Sequence, residues 1–145
     1  MSEGDRRWAE IEIAPYESFD DFVKRGLQKP CIQNWMHFRP QTTFLFVPCK
    51  PTLQVDFLGF FENINNDFRY VANRLGMGDS LPLRRENVGN QGNTLDYREF
   101  YTDKTRNIVS EVYRRDIDVF GYDFDNSSLQ SQLTRRRQRT AYRLC

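Results

Sequence analysis

The chain has little of what metal and redox chemistry uses. It carries one histidine and three cysteines, Cys31, Cys49 and Cys145, in 145 residues. There is no Cys-x-x-Cys pair, and a single His completes none of the usual zinc ligand sets. Long apolar runs are missing too. No stretch of even about 15 apolar residues occurs, so neither a transmembrane helix nor a signal peptide is encoded. The chain reads as soluble as written, and its compartment stays open. Charge of one sign is not in excess either, since 21 Lys and Arg face 20 Asp and Glu. That balance hides an asymmetry. Residues 125–145 hold five Arg and one Asp, which leaves residues 1–124 net acidic by three charges. The larger part therefore gives no electrostatic reason to expect nucleic acid.

What is present is aromatic. Twelve Phe and seven Tyr give a 14% aromatic content with two Trp, enough ring area for a core in one domain of this length. Trp8 to Ile13 alternates Glu10 and Glu12 with Ile11 and Ile13 and predicts a short edge strand or an extended arm. Ser18, with Asp21 three residues on, opens a helix carrying Phe19, Phe22 and Val23 on one face. Gly26 suits a left-handed C-terminal position. Residues 28–41 read as a loop held by Trp35, Met36, His37 and Phe38 against a neighbour.

Thr42 to Val47 is β-branched and aromatic and reads as a strand stopped by Pro48. Val55 to Phe61 reads as a second strand, apolar on both faces as in a parallel sheet. Asn63 caps a helix with Ile64, Phe68, Val71, Ala72 and Leu75 on one stripe, closed by Gly76. Strand, Glu62-Asn63 turn and helix make half of a βαβ unit. Residues 77–95 form a long polar loop, with a short strand possible in outline near Leu81–Leu83, and loops of that length are functional or disordered. Asp96 to Tyr101 reads as a helical turn. Thr102 caps one long helix to Phe120, with Ile108, Val109, Val112, Tyr113, Ile117 and Phe120 inward and Gly121 at its end. Residues 125–145 lack apolar periodicity and read as a basic, mobile tail.

Three segments, "HFRPQTTFLFVPC", "VDFLGFFENINNDFRYVANRLGM" and "YREFYTDKTRNIVSEVYRRDIDVFGYDF", resemble in order and spacing the C-terminal half of the Golgi-type carbohydrate sulfotransferases and their bacterial and algal relatives. The resemblance covers residues 19–124, and Tyr113, Asp116, Phe120, Gly121 and Tyr122 are a strong part of it. It implies an α/β fold: an incomplete P-loop-NTPase-like sulfotransferase fold, a few parallel strands flanked by helices, with the N-terminal P-loop unit missing. Residues 1–124 would be the C-terminal portion of the domain and 125–145 the tail. It implies sulfuryl transfer from 3′-phosphoadenylyl sulfate, as donor, to a carbohydrate hydroxyl. The family's two N-terminal donor-binding elements, a Lys-bearing strand–loop–helix and an Arg…Ser segment, have no counterpart here. The chain is therefore expected to be a fragment, inactive alone. It should expose a sheet edge and an apolar patch for a missing N-terminal half or a second copy.

The candidate site residues follow. In the resembled family the loop holding Arg84, Arg85 and Asn87 folds over the nucleotide, and an Arg fork suits its 3′-phosphate, against a solvated loop with two ordinary surface charges. Glu62 ends a buried strand, where open α/β sheets bind ligands, and so is a candidate for the acceptor sugar. It and Asp67 also suit a helix N-terminus by dipole alone. His37 is the candidate base or substrate contact, against a packed or capping role beside Pro40 and Gln41. Cys31 and Cys49 read as small buried apolar residues. No metal site is expected. The alternative function is a non-catalytic module that binds glycans or nucleic acid through the run Arg135 to Arg137, against a merely solvated tail. Asn126-Ser127-Ser128 fits the N-glycosylation pattern.

Overall fold

Ser2 accepts a hydrogen bond from the Asp5 N–H while the Asp5 carboxylate accepts from the Ser2 N–H, a reciprocal cap that starts helix α1 over Glu3–Glu12. The strand expected at Trp8–Ile13 is thus the end of a helix. A four-residue alternation is too short to outweigh a complete capping box. The computed structural model describes residues 2–47, 53–78, 82–83, 96–125 and 127–144, with the side chains of the last helix described up to Arg136.

Helix α2, Phe19–Arg25, starts where expected, with the Ser18 hydroxyl accepting from the Asp21 N–H at 3.1 Å. Gly26 ends it in a right-handed conformation, φ −109°. The expected left-handed cap is not what requires glycine there. The Tyr16 ring does, because a Cβ on Gly26 would lie 2.5 Å from a ring carbon. Gly76 and Gly121 do take positive φ, 71° and 69°, at their helix ends. Pro30 opens the short helix α3, Pro30–Gln33, inside the segment read as loop. Of the four residues expected to hold that segment, two are packed, with Trp35 stacked on Trp8 at 4.7 Å and Phe38 against Phe22 at 5.5 Å, while Met36 and His37 are exposed.

Thr42–Leu45 is one helical turn, α4, and not a strand. The cause is long-range. The Asp116 carboxylate accepts from the Gln41 and Thr42 N–H groups and from the Thr42 hydroxyl, satisfying donors that a helical turn leaves free at its start. Phe46 then forms an isolated antiparallel bridge with Leu53. Among the described residues this is the one β feature. Val55–Phe60 runs outside any helix or ladder and enters a 3₁₀ turn at Phe61–Asn63. The expected parallel strands are therefore absent from the described residues, which are mostly helical. A strand apolar on both faces needs neighbours on each edge, and none stands beside this one among the described residues.

Helix α5 covers Ile64–Arg74 and a 3₁₀ turn covers Tyr97–Phe100. The single long helix expected from Thr102 to Phe120 divides at Tyr113, φ −105° and ψ 20°, into α6, Asp103–Val112, and α7, Arg114–Phe120. The basic segment is helical too. Helix α8 spans Leu129–Leu144, within the segment that shows no apolar periodicity. Its inward side is Leu129, Gln132, Leu133 and Arg136, and two of these four are polar, so no apolar period marks it.

Two small cores result. Val23, Leu27 and Ile32 form one, under α6 with Ile108, Val109 and Val112 against it. Phe46, Leu53, Phe60, Val119, Phe120 and Leu133 form the other, between α7 and α8. The α6–α7 elbow joins them.

Candidate functional site

The joint between the extended Val55–Phe60 segment and helix α5 is built around two carboxylates with different tasks. Asp67 is buried. It accepts from the Phe60 N–H at 2.8 Å and from the Asn63 side-chain amide at 2.7 Å. Gly59 leaves room for this, since a Cβ there would stand 3.3 Å from the Asp67 Cβ. Asp67 therefore bonds the end of the extended segment to the first turn of α5. Glu62 turns the other way, and its Oε1 lies 3.2 Å from Nη1 of Arg136.

Arg136 is only 1% exposed. Its Nε donates to the Gly121 carbonyl at 3.1 Å and its Nη2 to Gln132 at 3.3 Å. The guanidinium lies 4.4 Å from the Tyr122 ring centroid and 5.7 Å from that of Phe60. A buried cation needs both paired charge and filled donors, and the site supplies them from three segments. Burial, and then the Glu62 charge, raises the Tyr122 phenol above its ordinary value. Glu62 thus faces the last helix and is engaged there.

A second bracket holds the elbow. The Tyr113 hydroxyl donates to the Phe38 carbonyl at 2.9 Å, and Asp116 holds Gln41 and Thr42. Two residues of the Tyr113–Tyr122 motif thereby fasten the segment that follows His37. His37 itself is 55% exposed in its side chain, with Nε2 3.1 Å from Asp5 Oδ1. It caps nothing at Pro40 or Gln41. The Asp5 carboxyl is held below the usual range, first by the Ser2 hydroxyl and then by His37.

His37 and Glu62 are not brought together: the first pairs on α1 and the second on α8. Arg84, Arg85 and Asn87 lie outside the described residues, as do Cys49, Cys145 and Asn126. Cys31 is exposed, not buried, and its thiol donates to Glu12 at 3.2 Å. Among the described residues no His, Cys, Asp or Glu group is placed to hold a metal ion, and no helix is long and apolar enough to cross a membrane.

Beside the joint runs an open apolar groove of about 410 Å³, lined by Phe57, Phe60, Phe61, Ile64, Phe68 and Val71. Phe61 is 83% exposed at its edge. Sequence reasoning passed over Arg136 and Tyr122 as site members. The Phe-Gly-Tyr spelling at 120–122 is the signal for Tyr122, while Arg136 sits in an Arg run where nothing separates a buried cation from solvated ones.

One of the comparisons with known proteins gives a match. A family model described as the sulfotransferase family matches residues 3–123. No curated protein and no solved structure matches the chain.

Proposed function

Because this chain belongs to the sulfotransferase family, we propose that it serves sulfuryl transfer from 3′-phosphoadenylyl sulfate to a carbohydrate hydroxyl. In this reading residues 1–124 are the C-terminal portion of an α/β, P-loop-like domain, and the phosphosulfate cradle comes from elsewhere. The observation that carries the family is the match over 121 of the chain's residues, 3–123. The groove beside Val55–Phe60 supports the partial-domain reading, because the apolar stripe of α5 lines it with no described residue covering it.

The chemistry is positioning plus charge stabilisation. The bond from sulfur to the 5′-phosphate oxygen breaks, a bond from sulfur to the sugar oxygen forms, and a base takes the hydroxyl proton. Arg84, Arg85 and Asn87 would hold the nucleotide's 3′-phosphate, where a guanidinium fork matches phosphate oxygens. His37, exposed and oriented by Asp5, is available to accept the proton. Glu62 would reach an acceptor only by leaving Arg136.

The test is incubation of the purified chain with labelled donor and mixed glycans, together with calorimetry against adenosine 3′,5′-bisphosphate. Binding that disappears in Arg85→Ala, without turnover, is the expected result. Robust turnover by the chain alone would overturn the partial-domain reading, and no nucleotide binding at all would overturn the donor assignment.

A further inference from the structure

Helix α8 begins after residue 123, where the family match ends, and it carries one cation into the body of the chain. Arg136 is received there by residues that all lie within the match. The Gly121 carbonyl accepts from Nε at 3.1 Å, and Glu62 Oε1 lies 3.2 Å from Nη1. The Tyr122 and Phe60 ring centroids lie 4.4 and 5.7 Å from the guanidinium carbon. Helix α7 ends at Gly121 in a left-handed turn, φ 69°, and the carbonyls at a helix end lack intrahelical donors. Gln132, on α8 itself, takes Nη2 at 3.3 Å and donates to the Asp125 carbonyl. The guanidinium is thus pre-oriented by its own helix and received by another part of the chain. The remaining hold on α8 is slight. Leu133 is the one buried apolar side chain described on it, and Leu129 is half-buried. A buried ion pair gives back most of its attraction as desolvation cost, so α8 belongs with the elements that open before a core does. Glu62 keeps 29% of its side chain exposed, which leaves a path to the pair from solvent.

We propose that Glu62, Gly121, Tyr122 and Phe60 form a guanidinium-binding socket and that α8 is its tethered, exchangeable occupant, a latch that opens when another arginine side chain takes the place of Arg136. The ligand class is an alkylguanidinium, and each wall of the socket argues for it. The Glu62 carboxylate selects positive charge. The two ring faces favour a flat, weakly hydrated cation over a compact ammonium. The Gly121 carbonyl requires an N–H donor in the plane that also serves Glu62, which a guanidinium fork provides and an ammonium matches poorly. Tethering sets the terms of exchange. A short connection gives the occupant an effective concentration in the millimolar range, so a free competitor acts at that concentration or above. Opening releases Glu62 from α8. The socket does not depend on the proposed reaction, and its test uses neither sulfate donor nor acceptor.

The test uses N-ethylguanidinium, which reproduces the Arg136 side chain from Cγ outward, on the full chain carrying Arg136→Ala. N-ethylammonium at equal ionic strength and neutral N-ethylurea are the controls. N-ethylguanidinium should give a saturable rise in the Tm of Arg136→Ala, about 3–5 °C where it stands at ten times its dissociation constant. The controls should give none, and the wild type, whose socket is filled, should not rise. Adding Glu62→Gln to the variant should abolish the gain. No gain, or an equal gain with N-ethylammonium, would overturn the socket. Hydrogen exchange of the wild-type chain tests the latch without a substitution. N-ethylguanidinium at about 50 mM, above the effective concentration of the tethered occupant, should speed exchange across Leu129–Leu144 at least about threefold over the N-ethylammonium control, with Asp103–Val112 unchanged. Acceleration of both helices together, or of neither, would overturn the latch.

Discussion

Asp116 and Thr42 are 74 positions apart, yet the Asp116 carboxylate accepts both the Thr42 amide hydrogen, at 3.0 Å, and the Thr42 hydroxyl, at 2.7 Å. Both residues are buried. Asp116→Ala leaves the two buried Thr42 donors without a partner away from water and releases the part-buried Gln41 N–H. The cost is expected to be about 3 kcal/mol, one to two unsatisfied buried groups. Urea unfolding followed by circular dichroism measures it. A loss under about 0.5 kcal/mol would show that Asp116 does not hold α4.

Arg136 and Glu62 make the corresponding tie between the joint and the last helix. If their ion pair matters to the fold, the effects of Glu62→Gln and Arg136→Met will not add. A double-mutant cycle should give coupling of about 1–3 kcal/mol, within the range for contacting residues. Arg136→Ala alone should be costly, because it removes a buried cation from Gly121, Gln132 and Glu62 together. Zero coupling would return Glu62 to the status of a carboxylate free for ligand.

These two ties show what the sequence could and could not convey. The side-chain caps at Ser18 and Thr102, the turn at 97–100 and the stripe of α5 are local, and they read correctly because the interactions lie within a few residues; the reciprocal half of the Ser18 box does not form, since the Asp21 carboxylate accepts from the Glu17 N–H instead. The sequence "TTFLFV" reads as a strand by propensity, but Asp116 sets its first residues in a helical turn, and nothing in the segment announces that partner. Helix α8 was missed for a related reason. Half of its inward side is Gln132 and Arg136, polar residues buried only because Asp125, Gly121 and Glu62 receive their hydrogen bonds. The motif residues Tyr113 and Asp116 were legible as important, and only the fold shows them fastening residues 38–42.

The pH response of the N-terminal cap has a definite sign. Asp5 is depressed in the folded state, chiefly by the Ser2 hydroxyl and next by His37. Its contribution is therefore complete above the unfolded aspartate value of about 3.9 and is lost as pH falls through the lower folded value. Carboxyl-carbon NMR of Asp5 should give a midpoint below the ordinary range. Ser2→Ala should raise that midpoint more than His37→Ala does. An ordinary midpoint in the wild type, or the opposite order in the variants, would mean the cap is not formed in solution.

The last expectation concerns what the chain does with its own apolar groove. Ile64, Phe68, Val71 and Leu75 fall on one stripe of α5, and the first three line the groove together with Phe57 and Phe61. Phe61 and Leu75 are both largely exposed. Burying a side chain of this size contributes roughly 1.5–3 kcal/mol, so two or three covered together are enough to drive association at micromolar concentration after the entropy of docking is offset. The Val55–Phe60 segment, which ladders with no described residue, adds backbone groups able to pair with another edge. The purified chain should accordingly self-associate in sedimentation velocity and bind a hydrophobic dye. Phe61→Ser combined with Leu75→Gln should return it toward monomer and reduce dye binding several-fold, because neither substitution touches the two buried cores. A wild-type chain that stays monomeric at about 100 μM, well above the micromolar range this arithmetic allows, and binds no dye would mean that the groove is closed in solution, and with it would go the main physical support for a covering partner.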